Sequence, residues 1–127
     1  MKTNIKLKMT NSFTYILSIN GLLFLLSLIC WKFPPKKINN LYGYKTFRTM
    51  QNIDIWNFAN KAFNNSLLIY AGISFIAGLV LASLGGDSLT WQPMALAMLT
   101  IIVCIIKTEK SISEIYDDDG KRLKSKN

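Results

Sequence analysis

Two uncharged apolar runs fix most of what this chain can become. Residues 13–31 (FTYILSINGLLFLLSLICW) carry no charge across nineteen positions, and residues 67–84 (LLIYAGISFIAGLVLASL) carry none across eighteen. A helix rises ~1.5 Å per residue, so about 20 residues cover the ~30 Å hydrocarbon core of a bilayer. A third run, Met94 to Ile106, is shorter, but counted from Thr90 it reaches the lower length limit for a span. The pattern predicts an all-α integral membrane protein with three transmembrane helices, at about 13–31, 67–84 and 90–106. Residues 13–106 then form one membrane domain, preceded by a polar segment (1–12) and followed by a tail (107–127). A cleaved signal peptide is the alternative for the first run, which follows Lys2, Lys6 and Lys8. The run is long for that, no small-x-small cleavage site follows it, and Ile29 before Cys30 is too large for a lipoprotein site.

Fifteen basic residues against seven acidic ones would suggest a nucleic-acid partner in a soluble protein. In a membrane protein the same excess reports orientation, because Lys and Arg accumulate in cytoplasmic loops. Lys32, Lys36, Lys37, Lys45, Arg48 and Lys61 lie between the first two runs, and Lys107, Lys110, Lys121, Arg122, Lys124 and Lys126 lie after the third. Three lysines precede the first run, and residues 85–92 hold none. Twelve against three places the 34–63 loop and the C-terminus in the cytoplasm and the N-terminus outside. Cys30 and Cys104 then fall near the cytoplasmic ends of their helices, where a disulfide is not expected. The tail is nearly balanced in charge, so nucleic acid is not an expected partner.

Between the first two runs the chain is dense in polar, aromatic and basic side chains together. Pro34 and Pro35 stop the preceding helix, since neither has an amide hydrogen to donate. Asn39, Tyr42-Gly43-Tyr44-Lys45-Thr46 and Arg48 follow, with Gly43 permitting a bend that other residues resist. From about Asn52 the spacing turns helical: Asp54, Asn57, Lys61 and Asn64 recur on one face. This predicts a structured loop and then an amphipathic interfacial helix between the first and second spans.

Asn39, Tyr42-Gly43-Tyr44-Lys45-Thr46, Arg48, Trp56 and Ala59-Asn60 resemble the signature of the sporulation-delaying-toxin immunity family. That signature runs roughly Pro, Asn, Tyr-Gly-Tyr-Arg-Thr, Arg, then Trp and Ala-Asn, in a loop between membrane helices. The resemblance covers 34–63 well, and the flanking segments by position and length. Lys45 stands where the family usually has Arg, and Phe47 where it often has Pro. An ammonium cannot make the two-pronged contact of a guanidinium. The resemblance implies a bacterial membrane protein that recognises a membrane-active toxin peptide and ties up a cytoplasmic regulator. It also implies a binding set of Asn39, Tyr42, Gly43, Tyr44, Lys45, Arg48, Trp56 and Asn60.

The residues themselves exclude several chemistries. The chain has no histidine, the commonest general base and zinc ligand. No carboxylate lies within the three apolar segments, which argues against an intramembrane aspartyl or zinc protease and against a proton-coupled exporter. Gly72-Ile73-Ser74-Phe75-Ile76 fails the nucleophile-elbow pattern at its last position, and Asp117-Asp118-Asp119-Gly120 lacks the later ligands of a calcium loop. No catalytic residue, metal or cofactor is therefore expected. What remains is binding, by cations at Lys45 and Arg48, amides at Asn39 and Asn60, and flat surfaces at Tyr42, Tyr44 and Trp56. The same set could instead anchor an interfacial helix while lysines attract acidic membrane lipids.

Helix-packing signals lie deeper. Asn20 should face protein or water rather than lipid. Ser74, Gly78 and Ala82 form a small-x-x-x-small row suited to close approach by the first helix, the third, or a second copy of the chain. Members of the family with twice as many helices exist, which suggests a homodimer joined through that row. Two function classes follow: an immunity or signalling protein, and a passive membrane scaffold or assembly subunit with a lipid-binding cytoplasmic loop.

Overall fold

A computed structural model describes residues 12–85 and 89–123. The expected N-terminal polar segment, except Ser12, and the end of the tail lie outside them, as do residues 86–88 between the second and third runs. Among the described residues the chain forms three helices. Helix α1 is Ser12–Lys32, α2 is Ile53–Gly85, and α3 is Gln92–Ile115. Two of them are long and apolar enough to cross a membrane, Ser12–Lys32 and the Ile53–Leu84 stretch of α2.

The first difference from expectation is in α2. The segment that begins near Asn52 is not a separate interfacial helix; it is the start of one continuous helix of 33 residues that runs through the second apolar run. No glycine or proline interrupts residues 53–71, so nothing in the backbone chemistry calls for a joint. Asn52 starts the helix, its side-chain oxygen accepting the Ile55 amide hydrogen at 3.0 Å. The third helix continues past Ile106 to Ile115, as the helical spacing of Ile112, Ile115 and Tyr116 predicts, with Pro93 tolerated in its first turn.

Helix α2 packs against both α1 and α3. Its contact with α1 is one of large residues against glycines. Phe75 lies over Gly21, Phe24 over Gly72, and Ile16 over Gly78, where an added Cβ would meet Ile16 Cδ1 at 2.9 Å. Ser74 and Ala82 of the small-residue row are also buried. Within α1, residues Leu17–Gly21 form a π-helical turn. Such a turn slips the register by one residue, and here Asn20 is fully buried within it. The Asn20 amide donates to the Pro93 carbonyl at 3.5 Å and its oxygen lies 3.4 Å from the Ser74 hydroxyl that donates to it. One amide thus touches all three helices.

The distribution of side chains is the reverse of a soluble bundle. Leu25, Leu26, Ile69, Ile76, Met98 and Ile102 are exposed, while Asn20, Ser27, Ser74 and Thr100 are buried. At one end this changes. Loop residues, the start of α2 and the end of α3 enclose a compact cluster of Tyr44, Ile55, Ala59, Ile112 and Tyr116, with Phe58, Phe63 and Ile115 against it. After Tyr116 the chain turns back. Asp117 accepts the amides of Asp119 and Lys121, both at 2.9 Å, and Leu123 N–H donates to the Ile115 carbonyl. The acidic run is therefore a tight turn capped by its own first aspartate. Bundle and cluster together form a stalk and a head.

Candidate functional site

The head is built by residues 34–63, and its hydrogen bonds explain why these residue types are needed. Gly43 has φ +118°, where an L side chain is strained, and an added Cβ would meet Asn60 Oδ1 and Pro35 Cγ, each at 2.9 Å. That close approach lets the next residue reach α2. The Tyr44 amide donates to Asn60 Oδ1 at 2.6 Å, and Asn60 Nδ2 donates to the Trp56 carbonyl at 2.9 Å and toward the Tyr44 carbonyl at 3.5 Å. Trp56, wholly buried, donates its indole N–H to the Pro35 carbonyl at 3.0 Å. Asn64 donates to the Cys30 carbonyl at 3.1 Å and so satisfies the open end of α1. Three side chains of one helix, at 56, 60 and 64, thereby tie down the loop and the helix before it.

Thr46 and Thr49 close the second half of the loop. Each hydroxyl accepts the other residue's amide hydrogen, at 2.8 and 3.1 Å, and Thr49 is fully buried. Asn39 holds the first half, its oxygen accepting the amides of Leu41 and Tyr42. Tyr42 donates to the Phe33 carbonyl at 3.3 Å and stays half-exposed. Lys45 lies on the surface, with its ammonium 2.6 Å from the Asn40 carbonyl.

Arg48 joins the loop to α3. Its guanidinium donates to the Ser113 hydroxyl at 3.0 Å, and lies 3.5 Å from Glu109 Oε2 and 3.4 Å from Asp118 Oδ1. The Arg48 Nε is buried without a partner among the described residues. Tyr44 donates its phenol to Glu109, and burial, then that hydrogen bond, raise the phenol above its ordinary pKa. On the other side of the head Asp54 accepts from Tyr116 at 2.9 Å and pairs with Arg122 at 3.1 Å. The Tyr116 hydrogen bond, then that of Arg122, hold the Asp54 carboxyl below the usual range.

The structure thus brings Gly43, Tyr44, Trp56 and Asn60 together, with Tyr44, Trp56 and Asn60 as interior parts of the head and Gly43 at its surface. Asn39, Tyr42 and Lys45 face outward, and Arg48 turns toward α3. Ser74, Gly78 and Ala82 lie buried in the stalk, away from all of them. Glu109, Ser113 and Asp54 were not in the expected set. The residue types are visible in the sequence, but their pairing depends on how far α3 extends beyond the apolar run and where the chain turns after it. A cleft of about 420 Å³ opens beside the head, with Trp31, Pro35 and Lys36 on one wall and Asn57, Lys61 and Asn65 on the other. Asn57 and Lys61 belong to the polar face that the helical spacing predicts; the opposite wall comes from the last turn of α1 and the loop after it.

Residues 36–108 match the profile of the SdpI/YfhL protein family. The chain belongs to that family. The uncharacterized protein YfhL of Bacillus subtilis (strain 168) is 32% identical over 103 residues, which are 79% of this chain and 87% of that protein. No solved structure matches the chain. The match extends from the loop through α2 into α3 as far as Thr108, so it covers the loop and α2 side of the head but not the end of α3 that completes it. Together with the apolar helices, family membership points to a membrane protein.

Proposed function

We propose that this chain is a non-enzymatic immunity protein of the bacterial cytoplasmic membrane that recognises a membrane-active antimicrobial toxin peptide. In this reading three helices cross the bilayer, the third from about residue 90 to 106, with the N-terminus outside and the head in the cytoplasm. The carrying observation is that the signature residues fold into a rigid head that leaves Tyr42, Lys45 and Phe47 on its surface. A cytoplasmic regulator, if one is sequestered, would meet that same surface. The test is survival of a toxin-sensitive bacterium expressing the protein, with Lys45→Gln and Phe47→Ser variants matched for membrane level. Protection by the wild type and its loss in the surface variants is the expected result. A wild type that protects against no candidate toxin peptide would overturn the reading.

One observation favours the second reading, a passive scaffold. The polar groups of Tyr44, Trp56 and Asn60 are all engaged inside the head, as architecture alone would require. On that reading Asn60→Ala acts through stability and the surface variants have no effect.

A further inference from the structure

Four polar side chains of the cleft beside the head, Lys36, Asn57, Lys61 and Asn65, take no part in the hydrogen bonds that build the head. We propose that the cleft binds the phosphate of an anionic lipid headgroup.

Its lining contains two lysines, Lys36 and Lys61, several asparagines and no carboxylate. Lys36, Lys61, Asn57 and Asn65 are exposed, and none is hydrogen-bonded to another described residue. Two ammoniums give the lining positive charge, two amides add neutral donors beside their own acceptors, and no carboxylate is present to repel an anion, which suits a phosphate. At about 420 Å³ the cleft lies within the range of small-ligand sites, roughly 300–1,000 Å³.

Its level on the molecule selects lipid over a soluble anion. Trp31 is the last residue of the first uncharged run, and Asn65 precedes the second run by two residues. Both walls thus end where apolar sequence begins, at the level where tryptophan and lysine meet headgroups. The helix ends with a bend at Phe33, and the chain runs on through Pro34 and Pro35 to Lys36, which lines the cleft together with residues of α2. The carbonyl at the end of α1 that Asn64 caps forms no part of the site; Asn64 there is a positioning residue.

The experiment is lipid titration of the purified full-length protein in detergent, read by native mass spectrometry. The probes are phosphatidylglycerol, phosphatidylcholine and inorganic phosphate. The expected result is a preference of about tenfold or more for phosphatidylglycerol over phosphatidylcholine, since each lysine near an anionic headgroup is worth several-fold. Lys36→Gln with Lys61→Gln should abolish that preference. Lys110→Gln with Lys121→Gln, which removes the same charge from the end of α3 and the tail, should preserve it. Both pairs are exposed, so unchanged melting temperatures are expected and are to be verified. Equal preference in the cleft variant, or no preference in the wild type, would overturn the proposal. Displacement of phosphatidylglycerol by equimolar inorganic phosphate would overturn the assignment to lipid.

Discussion

At Gly43 a single missing Cβ decides whether the loop can close on α2. With φ +118° and contacts of 2.9 Å to Asn60 and Pro35 waiting for any added carbon, Gly43→Ala meets both backbone strain and collision. Loss of about 1–3 kcal/mol is expected, seen as a lower melting temperature in detergent. An unchanged melting temperature would mean the loop closes without this approach. Asp54 gives a pH signature. Its carboxyl is the stronger acid in the folded chain, held there by Tyr116 and Arg122. Its contribution is complete above the unfolded pKa of about 3.9 and is lost as pH falls through the lower folded value. The wild type should lose melting temperature in that acid range more steeply than Asp54→Asn. Parallel profiles would show that the pair does not stabilise the fold.

Among the elements, α2 matters most, because one helix serves both head and stalk. Because it is continuous, Ala62→Pro removes a backbone hydrogen bond in mid-helix and costs about 3 kcal/mol or more. The expected outcome is lost helical ellipticity and a markedly lower melting temperature. A separate interfacial helix would tolerate proline at such a joint, and near-wild-type values would restore that arrangement. The Ser74, Gly78 and Ala82 row faces α1 within the chain, so a dimer joined through it would have to displace α1. Gly78→Leu should therefore destabilise the isolated chain by about 1–3 kcal/mol through overpacking against Ile16. A change in self-association with stability untouched would return the row to a second copy.

For the whole molecule, orientation is the open quantity with a direct measurement. In a background of Cys30→Ala and Cys104→Ala, Thr90→Cys should react with a membrane-impermeant thiol reagent on intact cells, and Ser113→Cys should not. The opposite pattern would invert the topology. Much of the architecture was legible in the chain. Uncharged runs declare membrane-length helices because only a helix satisfies its own backbone in hydrocarbon. Pro34-Pro35 declared the end of α1, and the period of Asn57, Lys61 and Asn64 declared a polar helical face. The signature residues were also legible as a set, but their roles were not. Whether Asn60 and Trp56 face a ligand or a loop depends on where Gly43 brings the backbone, and no local pattern encodes that. The partners of Arg48 lie more than sixty residues away on the extension of α3. Local propensity and hydropathy thus determined the helices. Contacts between residues distant in sequence decided that Tyr44, Trp56 and Asn60 form the interior of a head and that Ser74 and Gly78 meet α1, because those contacts exist only once the helices have packed.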